Sequence, residues 1–291
     1  MSNLHDSYTK ILNLLHDIEP NSYFLNQRRK PKLNDTELIA LNLAAECRGI
    51  DSERYLFTLL PQTLKDKIDR TVYNRRRRKL AFKIEFFRQK ITSIVVPAEN
   101  YHVIDSMPLE VCKYSRSSRT KICQENTETS PSFGYCAAQK LHYFGYKIHA
   151  VCTVQGIIKT FDISKASVHD INYLNDVKHQ LSNCVLIGDK GYLSQQYQQD
   201  LFESSNIKIE TPMRNNNANF KPFPKPLSKA RKRIETLFSQ LCDQFMIRRN
   251  YAKSFDGFST RILSKITALT LIQWLNQQNG NNINNLKVAV S

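Results

Sequence analysis

Long apolar runs are missing from this 291-residue chain. No stretch reaches the ~18 uninterrupted apolar residues of a membrane span, and the C-terminal run ILSKITALTLIQWL is shorter and is interrupted by Lys265. The N-terminal stretch MSNLHDSYTKILNLL carries Asp6 and polar side chains where a secretion signal needs an apolar segment. We therefore expect neither a membrane span nor a secretion signal, and a protein that works in the cytoplasm.

Paired cysteine motifs are also missing. The seven cysteines are scattered, and no two of them form a C-x-x-C pair. In a reducing compartment such cysteines are mostly buried thiols. The loose group of Cys112, Cys123, Cys136, His142 and His149 could be drawn as a zinc site, but its spacings match no standard zinc finger. We expect buried thiols here rather than zinc ligands.

Acidic residues are scarce, since 26 Asp and Glu stand against 42 Lys and Arg, and the formal net charge is +16. So basic a chain predicts a polyanionic partner, DNA or RNA first and an anionic membrane surface second. Residues 214–233 contain seven Lys or Arg and no acid. The first acid after this run, Glu235, is therefore either an ordinary counter-charge or a metal ligand held where a polyanion is delivered.

The first part of the chain has helical patterns. Asn34 and Glu37 predict a capping box at the start of one helix, and a basic helix follows at about residues 72–91. Short helices of which the last is basic are typical of a helix-turn-helix DNA-binding unit, although a three-helix packing domain with a solvated charged face fits as well. We predict a DNA-binding domain at residues 1–94. Its predicted DNA contacts are Arg75, Arg76, Arg77, Arg78 and Lys79.

From residue 101 the pattern changes to short apolar and alternating segments interleaved with helical ones. The expected order is three strands, then helix, strand, helix, strand and helix, which predicts a mixed α/β sheet covered by helices. We expect a mobile loop between Met107 and Gly145. The predicted second domain covers residues 95–276, and the Asn-rich end of the chain predicts a disordered tail at residues 277–291.

Three acids in this second region share a useful context. Asp105 lies in the first β segment, Asp189 at the end of a later strand, and Glu235 on the last long helix of the region. Functional groups of open α/β sheets gather outside the strand ends, and a carboxylate cluster there suits Mg²⁺. Two such ions would support in-line phosphoryl transfer. Asp162, inside a β segment, and Asp170, at a helix start, are the rival acids.

Each of the three acids also has an ordinary structural role open to it. Glu235 lies at the edge of the apolar stripe of its helix, where a surface ion pair with Arg231 would contribute only ~0.3–0.5 kcal/mol. Asp105 could be a turn residue, and Asp189 could form an Asx turn with Gly191. Taken together in a strongly basic chain, the three acids favour a metal site over three separate structural roles.

The motifs IDSMPL, GYKIHAV, GDKGY and RKRIETLFSQL, in this order, resemble the DDE transposases of bacterial insertion sequences. The resemblance covers about residues 101–275. It implies a ribonuclease-H-like mixed five-stranded sheet flanked by helices and preceded by a helical N-terminal DNA-binding domain. It also implies that Asp105, Asp189 and Glu235 are the catalytic residues and hold two Mg²⁺ ions, for which Mn²⁺ would substitute.

Two positions depart from the pattern of this family. Many of its members have a Lys seven residues after the Glu and a Tyr before the Arg, whereas Cys242 and Ser228 stand at these positions here. The two accessory roles are therefore not transferred. Lys190 and Tyr192, beside Asp189, are the candidates to replace them.

The resemblance implies an enzyme that cuts the ends of its mobile element and joins the freed 3′-OH to target DNA. Its partners would be double-stranded DNA, as terminal inverted repeats and as target, and further copies of the chain in a dimer or higher oligomer. It would work in the bacterial cytoplasm, at the nucleoid when bound. The alternatives are a ribonuclease-H-like nuclease or resolvase without strand transfer, and an inactive DNA-binding transposase relic.

Further DNA contacts are expected around the three acids. Arg231 would orient Glu235 or contact a phosphate, and the two cations that follow it are expected to point outward, towards solvent or a ligand. The predicted contacts in this region are Lys190, Lys229, Arg231, Lys232 and Arg233.

Overall fold

The structure is a computed structural model that describes residues 4–96, 99–137, 139–213, 216 and 220–286. The chain divides into two compact units, one of Met1–Val95 with Leu241–Ser291 and one of Val96–Gln240. Residues 241–276 thus belong with the N-terminal helices and not with the sheet, which differs from the division expected from the sequence. No described helix is long and apolar enough to cross a membrane.

The first unit is helical. Its helices are α1 (Leu4–Ile18), α2 (Asp35–Cys47), α3 (Glu53–Leu59), α4 (Gln62–Lys65), α5 (Arg70–Lys79), α6 (Ala81–Val95) and a last helix, α10 (Phe255–Gln278). The capping box expected at α2 is confirmed, because Glu37 N–H donates to Asn34 Oδ1 and Asn34 N–H donates to Glu37 Oε2, both at 2.7 Å. These bonds satisfy backbone donors that a helix start leaves unpaired.

The last helix joins this unit because it is buried on all sides. Nearly every residue from Gly257 to Asn276 is buried, which identifies a central core helix rather than the surface helix of a sheet. Its hydroxyls, such as Ser264 and Thr267, donate to carbonyls four residues earlier in the same helix, so burial leaves them satisfied. Its one buried lysine, Lys265, lies 2.7 Å from Glu46 of α2.

The predicted disordered tail is wrong for its first part. The Asn276 side-chain amide donates to the carbonyls of Ile283 (3.3 Å) and Asn285 (2.9 Å), and Leu286 is buried. These contacts fold residues 279–286 back onto the end of α10, which asparagine content alone does not reveal. Residues 287–291 lie outside the described residues.

The second unit is a sheet with helices. Its strands are β1 (Tyr101–Cys112), β2 (Ser132–Cys136), β3 (Leu141–Thr153), β4 (Ile158–Lys165), β5 (Cys184–Ile187) and β6 (Ile207–Glu210). Its helices are α7 (Leu174–Gln180), α8 (Gln195–Ser205) and α9 (Lys225–Asp243), with short 3-10 helices at Tyr114–Arg119, Asp170–Tyr173 and Lys190–Tyr192.

The sheet is mixed. The long strand β3 runs antiparallel to β1 on one side and to β2 and then β4 on the other, while β5 pairs parallel with β1 and β6 parallel with β5. The order β4-β3-β1-β5-β6 is the ribonuclease-H-like arrangement, so the expected fold class is confirmed. The described sheet has six strands rather than five.

The additional strand lies where a mobile loop was expected. β1 continues to Cys112, a 3-10 helix follows at once, and β2 adds five residues to the edge of β3. The segment SFGYC alternates in exposure, as a strand with one covered face does. Its shortness and its single glycine, Gly134, hid this pattern in the sequence.

One face of the sheet carries an apolar core, and the other carries Asp105. Ile104 of β1 and Val151 of β3 are register partners and belong to a buried apolar cluster with residues of α7 and α8. Because successive side chains of a strand point to opposite faces, the next residue, Asp105, faces away from that cluster. The apolar core on one face therefore fixes the position of the carboxylate on the other.

Candidate active site

Parallel pairing brings Asp105 and Asp189 to neighbouring positions. The last paired residues of β1 and β5 are Val103 and Ile187, and the two aspartates each follow two residues further along the chain. Asp189 keeps an extended backbone, with φ −85° and ψ −175°. Since side chains two residues apart in a strand share a face, the two carboxylates lie side by side where β5 ends.

The surroundings of Asp105 favour its protonated form. Burial, more than any other cause, raises the pKa of this carboxyl to about 7, and the negative charges of Asp189 and Asp170 raise it further. The Ser106 N–H, which donates to Asp105 Oδ1 at 2.8 Å, and the charge of Arg231 act in the opposite direction. Near neutral pH Asp105 is therefore only partly ionised, in a position where a cation would favour its charged form.

Asp189 is oriented by a local turn. Its Oδ1 accepts the Gly191 N–H at 2.7 Å, which is the Asx turn that the sequence offered as a structural role. A Cβ on Gly191 would lie 2.9 Å from the same oxygen, so a side chain there would displace the carboxylate. The turn is thus compatible with a functional role, because it fixes one oxygen of Asp189 beside Asp105.

Tyr192 belongs to the apolar cluster on the other face of the sheet, within reach of the charges of the pair. Its ring is buried, and its hydroxyl has no hydrogen-bond partner among the described residues. Burial and the nearby charges of Asp105, Asp170 and Asp189 raise its pKa far above the usual range. This tyrosine therefore stays protonated, with a donor available inside an acidic cluster.

Asp170 is the rival acid whose charge reaches Asp105. It begins the 3-10 helix Asp170–Tyr173, which His169 caps rather than Asp170 itself, and its Oδ1 accepts from Lys147 Nζ at 2.9 Å. Lys147 also donates to the Val168 carbonyl. The ion pair compensates the charge of Asp170, whereas no described lysine or arginine pairs with Asp105 or Asp189.

Glu235 lies outside this pair. The apolar stripe expected on α9 is buried as predicted, at Ile234, Leu237 and Phe238. The Glu235 side chain is 51% exposed and lies 3.2 Å from Arg231, one helical turn earlier. Glu235 thus makes the ordinary ion pair that the sequence allowed, with the same Arg231 whose charge lowers the pKa of Asp105.

A complete metal cage is not assembled in the described part of the chain. No group of three or more His, Cys, Asp or Glu side chains there could hold a metal ion. The two aspartates supply part of a site, and Glu235 would have to leave Arg231 to complete it.

The cations near the acids divide into two groups. Lys190, Lys229 and Lys232 are exposed, as a role in DNA binding requires. The expectation that Arg233 points outward is wrong, because its guanidinium packs on Gly156, where a Cβ would come within 2.1 Å of Arg233 Nε. Gly156 has φ +97° in the β3–β4 hairpin turn, and burial lowers the pKa of Arg233.

The basic run of α5 divides in the same way. Arg76 lies 2.6 Å from Asp35 and donates to the Leu33 carbonyl, and Arg77 lies 2.7 Å from Glu53; both arginines are buried. Their donors serve the fold, which argues against the predicted DNA contacts of these two arginines. Of the remaining three, Arg75 and Lys79 are exposed, and Arg78 is half-buried with Nη1 3.5 Å from Ser254 Oγ.

Two polar residues of β3, Lys147 and His149, lie on the face opposite Asp105, and the sequence had offered only His149, as a member of the loose Cys and His group. Lys147 pairs with Asp170, and His149 is buried, stacks on Tyr173 at 5.1 Å and lies 2.7 Å from Ser164 Oγ. Burial lowers the pKa of His149 to about 4, so it is a neutral packing residue. Both belong to the motif GYKIHAV, whose alternate positions point to the Asp170 side of the sheet.

Comparisons with known proteins support one family. The model of a family described as the transposase DDE domain matches residues 99–271, more than half of the chain. No curated protein matches the chain. A solved structure described as the Mos1 transposase paired-end complex with left transposon end is 9% identical over 82% of this chain and 86% of that chain. Its TM-score of 0.22 is too low for an argument about shared geometry.

Proposed function

The chain belongs to the transposase DDE domain family, and from that premise we propose that it cuts the ends of a mobile element and joins the freed 3′-OH to target DNA. The observation that carries the proposal is the pair of carboxylates, Asp105 within β1 and Asp189 just after β5, each two residues beyond the last partners of the parallel β1–β5 pairing. The raised pKa of Asp105 supports it, because perturbed carboxylates cluster at functional sites.

A divalent cation is the cofactor that we propose for this site. Asp105 and Asp189 fit a hard cation as oxygen ligands, since their shared negative charge has no described ion-pair partner and the pKa of one is raised. Glu235 would be the third ligand after leaving Arg231. When bound, two Mg²⁺ ions, or Mn²⁺ in their place, would activate the attacking oxygen and stabilise the leaving one.

Arg231 would exchange partners when DNA binds. It forms an ion pair with Glu235 at 3.2 Å, and its charge lowers the pKa of Asp105. A DNA phosphate offers it a bidentate partner, and its departure would free Glu235 for the metal. Lys190, Lys229 and Lys232, all exposed, would hold the adjoining backbone.

We further propose duplex DNA as the substrate, both as terminal inverted repeats and as target, bound by a dimer or higher oligomer in the bacterial cytoplasm. The net charge of +16 supports a polyanionic partner. Arg75 and Lys79, exposed on α5, would let the helical unit add phosphate contacts.

A supercoiled plasmid that carries the terminal repeats, incubated with Mg²⁺ or Mn²⁺, tests this function. Nicking at the element ends followed by strand joining is the expected result. Nicking without joining would instead indicate a nuclease or resolvase, and DNA binding alone would indicate an inactive relic.

The matched control is Asp162→Asn. Asp162 is an exposed acid of β4 that only accepts the N–H of its neighbour Ile163, so this variant should keep full activity. Asp105→Asn and Asp189→Asn should lose it. Cleavage by either of these two variants at the wild-type rate would remove that residue from the site.

A further inference from the structure

Exposed aromatic side chains lie together at the edge of the sheet formed by β2. Tyr114 is 53%, Phe133 54% and Tyr135 51% exposed, and His142 is exposed as well. The ring centroids are 5.7 Å apart for Tyr114 and Phe133, 6.3 Å for Tyr114 and His142, and 4.8 Å for Tyr135 and His142. We call these four residues the aromatic platform.

The backbone holds the platform in place. Tyr135 pairs with His142 and Phe133 with Phe144 in the β2–β3 register, so these side chains share one face. The Phe133 ring packs on Phe144, which is buried, with centroids 4.9 Å apart. Gly134, between the two exposed rings, lies so close to Ala166 that a Cβ would come within 2.8 Å. The exposed rings are therefore fixed by covered neighbours.

The segment that supplies Tyr114 is cationic. Its four cations are exposed, and none forms an ion pair with another described residue. They are Lys113, Arg116, Arg119 and Lys121. Glu125 and Glu128 follow, which leaves the segment with an excess of positive charge. Exposed rings beside unpaired cations match the two requirements of single-stranded nucleic acid, a stacking surface for bases and a charge for phosphates.

The platform shares a sheet face with the candidate active site. Asp105 pairs with Ala150 of β3, and the even-numbered residues of β3 from 142 to 150 alternate onto that same face. Six to eight residues separate Phe144 and His142 from Ala150, which is ~20–26 Å along the strand at ~3.3 Å per residue. A DNA strand that reaches the platform from the candidate active site therefore has to span ~20–26 Å.

We propose that the aromatic platform stacks unpaired bases of the DNA strand, ~20–26 Å from the bond that is cut. Bases inside a duplex are already stacked on each other, so the platform selects single-stranded or opened DNA. This inference rests on the proposed function for the identity of the substrate and adds a second binding element to it. Lys113, Arg116, Arg119 and Lys121 hold the phosphates on either side.

The test uses the full-length protein and a fluorescently labelled 12-nucleotide oligo-dT, whose affinity is measured by anisotropy beside that of a blunt duplex. In the double variant Phe133→Leu with Tyr135→Leu, apolar area remains but the rings are lost. We expect its affinity for the oligonucleotide to fall roughly tenfold or more, with duplex binding within about threefold. Tyr135→Phe, which keeps the ring, should bind as the wild type does.

The matched control is Phe202→Leu, which removes an exposed ring of α8 and should leave both affinities unchanged. Unchanged oligonucleotide binding by the double variant would overturn the proposal. So would a change in oligomeric state in gel filtration without a change in DNA binding, because the platform would then be a docking surface for a second copy.

Failure of the proposed function has a different signature. In that case the wild type would leave terminal-repeat DNA uncut while it still bound oligo-dT through the platform. If the wild type cuts and joins DNA but the loss of the platform rings does not change its binding to oligo-dT, the platform alone would be rejected.

Discussion

Asp105 and Glu235 have the same carboxylate chemistry and the same expected role, but they differ in burial and in the charges that surround them. Asp105 lies half-buried beside Asp189, where like charge and burial raise its pKa to about 7. Glu235 is half-exposed on a helix and paired with Arg231 at 3.2 Å. The strand acid Asp105 is thus held in a position that costs stability when it is charged, while the helix acid Glu235 is in an ordinary one.

Neighbouring cations of the α5 run also differ in their surroundings. Arg76 is buried against Asp35, whereas Arg75, its neighbour in sequence, is exposed. Residues held at a cost to stability are candidates for chemistry, and residues that satisfy buried partners serve the fold. The predictions below test where each residue belongs.

The largest effect is expected from Asp105→Asn and Asp189→Asn. Each variant should reduce cleavage of terminal-repeat DNA by at least about a thousandfold, because each removes an oxygen ligand from the proposed metal site. DNA binding should stay within a few-fold, measured by anisotropy in Ca²⁺ buffer. Cleavage within tenfold of wild type would place the chemistry elsewhere.

Arg76→Gln should have the largest effect on stability. It leaves the fully buried Asp35 without its cation, which costs about 3–5 kcal/mol in comparable buried pairs. Urea unfolding monitored by circular dichroism measures the loss. Arg75→Gln is the control and should leave the unfolding free energy within ~0.5 kcal/mol. Equal effects of the two variants would contradict the division of the basic run.

The pH dependence of stability should report Asp105. Its folded pKa lies above its unfolded value, so the stability it contributes is complete below about pH 4 and is lost as the pH rises through 7. Between pH 5 and pH 8, in EDTA, the wild type should lose about 2–3 kcal/mol of unfolding free energy that Asp105→Asn does not lose. Mg²⁺ at pH 8 should restore part of this loss in the wild type only. Parallel pH profiles for the two proteins would contradict the raised pKa.

Glu235→Gln should have the smallest effect on stability. The exposed pair with Arg231 contributes only about 0.3–0.5 kcal/mol, so the unfolding free energy should hardly change. A loss of cleavage without a loss of stability would give Glu235 a role in the reaction. Full activity of this variant would leave Glu235 with the role of a surface ion pair.

The sequence predicts the sheet better than it predicts the surroundings of the side chains. The alternation around Asp105 and the apolar run before Asp189 are local patterns that predict strands, whereas the arrangement of these strands in a ribonuclease-H-like sheet was implied only by the family resemblance. By contrast, the burial of Arg76 depends on Asp35, 41 residues earlier, and no local pattern shows it. The packing of Arg233 on Gly156 is likewise a contact between residues that are distant in the sequence.

The sequence did not show that α10 belongs to the helical unit, and the reason is physical as well. A helix that is apolar on all sides carries no periodic signal to tell which core receives it. Lys265, which only interrupts the apolar run in the sequence, marks the destination, because its partner Glu46 lies on α2. The aromatic platform combines residues of the 3-10 helix Tyr114–Arg119, β2 and β3, so no single sequence motif predicts it.

The buried pair of Lys265 and Glu46 has a consequence for synthesis on the ribosome. Residues 1–95 emerge long before α10, and about 160 residues of chain separate them from it. At ~5–20 residues per second this takes roughly 10–30 s, during which Glu46 and the apolar faces around it lack their partner. The helical unit can therefore complete its core only after residues 96–254 have been synthesised.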